Sequence, residues 1–190
     1  MNEVERIYEE LKAIGQIVVA SNDVSARTDF GAHSAKTLLL VGASNFERRI
    51  VSSIEDHLNN VTTSSVIRHF AFNQAVKQKF FSLFDFNADT KNIKAFLSKF
   101  GPDYSNWAKD DMKAAGVDIG NQIAFLNLCR LRNSLVHNNY ATYDIIKTLD
   151  EVWAEFDKAA LLVRWIESSF ERFNKVVIAA GAERDGQTTA

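Results

Sequence analysis

"DIGNQIAFLNLCRLRNSLVH", Asp118 to His137, is the stretch on which the fold turns. Ala124, Leu128, Leu131 and Leu135 recur at spacings of three and four, the period of one helical face. Asp118 stands just before the periodic run, where its carboxylate can accept from the first free backbone N–H groups. The predicted element is therefore a long helix. A second apolar strip, Ile119, Ile123 and Leu126, lies on roughly the side of Asn133 and His137. A helix apolar on two sides is usually covered on both. One cover is the rest of the molecule, and the other is a candidate surface for a second subunit.

The same reading extends outward in both directions. Val4, Ile7, Leu11, Ile14 and Val18 make residues 2–20 an amphipathic helix. "SNDVSARTDFGAHSAK" reads as a loop, with Gly31 and several cap-forming residues. A second helix is expected from about Ala35 to Val61, and a third over "SSVIRHFAFNQAVKQKFFSLF", capped by Ser64 or Ser65. After "DFNADTKN" a short helix, "IKAFLSKF", stops at Gly101-Pro102. Residues 104–115 make another short helix. Following "NNYAT", Asp144 is expected to cap a long helix running to about Val177.

The chain has 190 residues, one Pro and eight Gly, few breakers for its length, and no run reads as a strand. Its hydrophobic share of 46% is enough for a proper core, to which the fourteen Phe and three Trp are assigned. The expected fold is all-α: a single-domain helical bundle over 1–178, with four main helices and one or two short ones. Antiparallel packing is expected wherever connections are short. Residues 179–190 read as a disordered tail. The N-terminus lacks a signal-peptide core and the longest apolar run, "TLLLVGA", is far below the roughly 20 residues a membrane helix needs. With a single cysteine, Cys129, an internal disulfide is excluded, so a soluble cytoplasmic protein is expected.

The polar end of the opening helix carries the functional signal. On a straight helix Arg132 and His137 diverge by about 140°, whereas Asn133 and His137, four apart, share a face. Two readings stand. In one, the segment is a polar helix end, with Arg132 paired to an acid and His137 favouring the negative end of the helix dipole. In the other, the three side chains do chemistry. No glycine-rich phosphate loop or nucleophile elbow competes with it. His33, His57 and His69 have no partners at ligand spacing, so neither a metal site nor a cofactor is expected.

"RNSLVH", Arg132 to His137, near the end of one long helix and before a loop and a final long helix, resembles the Arg-x4-6-His signature of HEPN domains. These are all-α modules found in many RNA-cleaving toxins and defence proteins. The Asn after the Arg is common there. "LLLVGASNFERRI" is similar to an early helix of the RiboL-PSP and related branches, with Glu47 where an acid often stands. The likeness covers Ala35 to Phe170 in architecture, but its specific part is six residues.

The resemblance implies a metal-independent endoribonuclease, cofactor-free and homodimeric. Its setting would be a toxin–antitoxin or antiviral defence system, with an antitoxin or other partner protein. Its chemistry needs a base to deprotonate a 2′-hydroxyl and an acid to protonate the leaving 5′-oxygen, roles that imidazole fills near neutrality. A two-fold interface would bring two Arg and two His into one cleft and remove the divergence within one chain. On this reading His137 is the acid/base and Arg132 the phosphate clamp. Asn133 orients His137 or donates to phosphate. Glu47 supports the site as the ion-pair partner of Arg132 or Arg130. Some toxin members carry a Tyr two residues after the His, where a nucleotidyltransferase can modify it. Here Asn139 holds that place and Tyr140 follows. A basic stretch from Arg68 to Lys99, with Lys77 and Lys79, is a candidate path for RNA. The alternative is a non-catalytic helical module for dimerisation or for binding a partner protein or nucleotide.

Overall fold

A computed structural model describes residues 3–77, 80–138, 140 and 142–188. Every regular element among them is helical: α1 Glu3–Ala20, α2 Val24–Val61, α3 Ser65–Ala71, α4 Phe80–Leu83, α5 Lys94–Ser98, α6 Pro102–Ala114, α7 Ile119–His137 and α8 Leu149–Thr188. A π-helical turn, Phe72–Lys77, follows α3. The all-α bundle expected from the sequence is present, and its four main helices are α1, α2, α7 and α8. The short elements are more numerous than expected.

The expected spacings place the core. From α2 it takes Ala35, Leu38, Leu39, Ala43, Phe46, Ile50 and Ile54; from α8 it takes Val152, Phe156, Leu162, Val163 and Ile166. Phe46 and Phe156 stack in parallel with ring centroids 4.6 Å apart. Gly42 lies beside Phe156, Arg49 and Ser53 bond to Glu167, and His57 stacks on Phe170. Higher numbers on α2 meet higher numbers on α8, so these two helices are parallel. α1 is antiparallel to α2, because Arg48 reaches back to Glu3 while Gly15 faces Phe30. α7 is antiparallel to α2: Glu47 meets Arg132, and Lys36 reaches Tyr140 beyond the end of α7. The expected stripe of α7 is buried at Ala124, Leu128 and Leu135, with Leu131 packed at its edge. Of the second strip, Leu126 is buried and Ile119 is exposed.

Several boundaries differ from the sequence reading. The loop expected over residues 21–36 is short, because α2 begins at Val24 with the Asp23 carboxylate accepting from the Ala26 N–H. Gly31 therefore lies inside a helix. The third helix is not continuous. The π-helical turn holds one more residue per ring than α-helix, and it rotates the apolar stripe. Before it Val66, Ile67 and Phe70 are exposed; within and after it Val76, Phe80 and Leu83 are buried. The cap of α8 is Thr148 rather than Asp144. Thr148 Oγ1 accepts from the Glu151 N–H, and the Glu151 carboxylate accepts from the Thr148 N–H, a reciprocal capping box. The α8 backbone runs through Thr188, into the stretch expected as a tail.

Other local expectations match. Ser64 caps α3, and Asp118 caps α7 in a capping box with Asn121. Gly101, at φ 92°, takes a left-handed turn that Pro102 follows as the first residue of α6. No helix among the described residues is long and apolar enough to cross a membrane.

Candidate functional site

The end of α7 is closed by Asn138, whose backbone and side-chain N–H groups both donate to the Ser134 carbonyl. Its extended backbone ends the helix there. The candidate residues thus occupy the last turn and a half of a helix fixed at both ends.

Arg132 turns inward. Its guanidinium lies 3.5 Å from the Glu47 carboxylate and 4.8 Å from the centre of the Phe81 ring. Its side chain is 20% exposed and that of Glu47 is 30% exposed, so this is a half-buried pair. Of the two partners open to Glu47, Arg132 is the one it meets. Phe81 lies on α4, and no local signal singles it out from its phenylalanine neighbours. The ring and the carboxylate together hold the guanidinium on the α2-facing flank of α7.

Two polar atoms here lack partners. Arg132 Nε and Asn133 Oδ1 are buried with no hydrogen bond among the described residues. One is a donor and the other an acceptor, on adjacent residues. Leaving such a group unmade costs about 1–3 kcal/mol, and because the protein covers both atoms, that cost is carried inside the fold.

His137, by contrast, is exposed on the last turn of α7. The structure does not bring Arg132 and His137 of one chain to a common point: one packs against α2 and Phe81, and the other faces outward. Arg130 is not part of this group. It donates to the Ala88 carbonyl and to Asn127 Oδ1, and so ties the 85–90 loop to α7. Lys79, and the side chain of Lys77, lie outside the described residues.

Tyr140 is joined to a residue at the start of the expected second helix. Lys36 is 2% exposed, and its Nζ donates to the Tyr140 carbonyl at 3.2 Å and lies 5.3 Å from the centre of the Tyr140 ring. The His33 ring stacks on the same tyrosine, with centroids 6.1 Å apart. Lys36 therefore pins the chain that leaves His137. A signal existed: Lys36 stands three and four residues before Leu39 and Leu40, on the apolar side of the helix.

Elsewhere, His57 sits in a cleft of about 590 Å³ between α2 and α8. Burial against Phe170 pushes its imidazole below its ordinary value. Arg49 in this cleft is already held by both oxygens of Glu167. Burial pushes the Cys129 thiol up, which keeps it protonated and unreactive. No group of three metal-binding side chains is found among the described residues.

Comparison of the chain with protein-family profiles, with characterised proteins and with solved structures returns no significant match in any of the three.

Proposed function

We propose that this chain is an endoribonuclease of the HEPN type, metal-independent and acting as a homodimer in a toxin or antiviral defence setting in the cytoplasm. The observation that carries the reading is a partly exposed guanidinium, Arg132, held by Glu47 and Phe81 on the same helix end as the exposed imidazole of His137.

The step is a transesterification. A base removes the proton of the 2′-hydroxyl, and the 2′-oxygen attacks the adjacent phosphorus. The P–O5′ bond breaks, and an acid protonates the leaving 5′-oxygen, giving a 2′,3′-cyclic phosphate and a new 5′-hydroxyl. One His137 from each of two copies would fill the two roles. Arg132, oriented by Glu47 and Phe81, would hold the phosphoryl oxygens and their growing charge. Because Arg132 and His137 of one chain diverge, the reading requires the second copy.

The test is cleavage of end-labelled RNA in the presence of a metal chelator. His137→Ala is expected to lose about 10²-fold or more in rate, the ordinary contribution of a positioned acid–base group. Cleavage by His137→Ala at the parental rate would overturn the proposal.

A second reading has its own support. Arg132 is engaged by Glu47 and Phe81 within the chain, as a purely structural residue would be. The chain would then be a non-catalytic helical module for dimerisation or for a protein or nucleotide partner. Intact RNA with the parent protein, together with loss of stability but not of partner binding in Arg132→Ala, would favour it.

A further inference from the structure

A cleft of about 470 Å³ opens at the other flank of α2, between α1, the first turns of α2 and the start of α8. Leu11, Val18, Phe30 and Leu149 contribute apolar walls. Its volume falls within the 300–1,000 Å³ typical of small-molecule sites.

Two features make it more than a crevice between helices. The first is Gly31, which lines it from inside α2. Glycine weakens a helix interior relative to alanine, so its presence calls for a cause. For Gly15 and Gly42 the cause is packing: an added Cβ would stand 3.2 Å from the Phe30 ring in one case and 2.9 Å from the Phe156 ring in the other. At Gly31 an added Cβ would meet nothing within 4 Å. Packing does not demand this glycine, and at its place in the lining the wall of the cleft carries no side chain.

The second feature is charge. Lys12 and Arg27 stand at opposite ends of the cleft: Lys12 one turn before Gly15 on α1, and Arg27 bonded to the Val19 carbonyl one turn after it. Neither forms an ion pair with a carboxylate of the described residues. Lys12 Nζ lies 5.4 Å from the centre of the Tyr8 ring. The one acid of the lining, Asp150, accepts the Tyr8 hydroxyl at 2.7 Å. Lys12 also meets the Tyr8 hydroxyl and feels Glu9 and Asp150, yet the lining as a whole, Lys12 and Arg27 against Asp150, is positive and suits an apolar body that carries an anionic group.

We infer that this cleft is a binding site for a small carboxylate with an apolar body, seated along Gly31 with its carboxylate on Lys12 or Arg27. The inference is independent of the ribonuclease reading.

The probe is decanoate below its micellar concentration, followed by calorimetry and by methyl spectra of the full chain. Saturable one-to-one binding is expected, with shifts centred on Leu11, Val18 and Leu149. Gly31→Leu fills the trough while improving helix propensity. It is therefore expected to melt no lower than the parent and to bind decanoate at least about tenfold more weakly, a difference well within calorimetric reach. Lys12→Glu with Arg27→Glu is expected to weaken decanoate several-fold but not decanol. Absence of saturable binding, equal binding by Gly31→Leu, or tighter binding of decylammonium than of decanoate would each overturn the assignment. Should Gly31→Leu fail to fold, the location of the methyl shifts in the parent decides: shifts away from the cleft refute it.

Discussion

Gly42→Ala sets two computable effects against each other. Alanine in place of glycine inside a helix gains about 1 kcal/mol. Here, however, the added Cβ would stand 2.9 Å from Phe156 Cδ2 and 3.4 Å from Cε2. The first distance is too short for any real contact, so the ring must move. Phe156 has little room to do so. It is 3% exposed, its ring stacks on Phe46 at 4.6 Å, and its other neighbour Trp153 is 5.4 Å away. Overpacking of this kind costs about 1–3 kcal/mol, so the net expectation is a loss of about 1 kcal/mol, reaching about 2. For a chain of this length that lowers Tm by about 2–8 °C. Urea denaturation and thermal melts of parent and variant measure it directly. A double-mutant cycle with Phe156→Leu should recover part of the loss, because the shorter side chain vacates the clash. Gly42→Ala as stable as the parent, or more so, would refute the argument that ring packing against Gly42 sets the separation of α2 and α8. The consequence reaches the candidate site, since Glu47 stands on the same helix just beyond Gly42 and takes its position from that packing.

Three further outcomes are expected. The His57 imidazole is pushed below its ordinary value by burial, so the unfolded chain binds the proton more readily than the folded one. Stability from this group is present above its unfolded value of about 6.5 and declines as pH falls from there toward the lowered folded value. His57→Gln should remove that slope in urea midpoints measured between about pH 5 and 7, and an unchanged slope would show that other groups carry it. Thr148→Ala should cost about 1 kcal/mol by removing the cap of α8, while Asp144→Ala should stay within about 0.5 kcal/mol. The reverse order in thermal melts would restore Asp144 as the cap. For Glu47 and Arg132, a Glu47→Gln and Arg132→Gln cycle should yield a coupling of about 0.5–1 kcal/mol, as suits a half-buried pair at 3.5 Å. A coupling indistinguishable from zero would mean that Phe81 alone holds the guanidinium.

Short-range physics is legible in the chain before it packs. Apolar residues three and four apart specify helices, because that spacing brings their side chains onto one face whatever the partner. Asp118 and Ser64 are legible as caps for the same reason: each needs only a backbone N–H two or three residues ahead. The all-α class, α7 with its core stripe, and the polar cluster at its end all follow from such local rules.

Tertiary structure decided what local rules leave open. Residues 24–34 are rich in Ser, Thr, Asp and Gly and read as loop, yet they are helical, since Phe30 packs on Gly15 of α1 and lines the cleft between the two helices. Asp144 and Thr148 are both cap formers, and only the start of packing against α1, where Tyr8 meets Asp150 and Trp153, selects the second. A lysine just ahead of an apolar run became a buried pin because the loop after α7 offers Lys36 a carbonyl and a ring more than a hundred residues away in sequence. Arg130 and Arg132, alike in type and two positions apart on one helix, have opposite fates. They point about 200° apart around the axis, so one meets the 85–90 loop and the other meets Glu47 and Phe81. Periodicity sets the face on which a side chain lies, but its partner comes from whichever distant element the packed bundle places there.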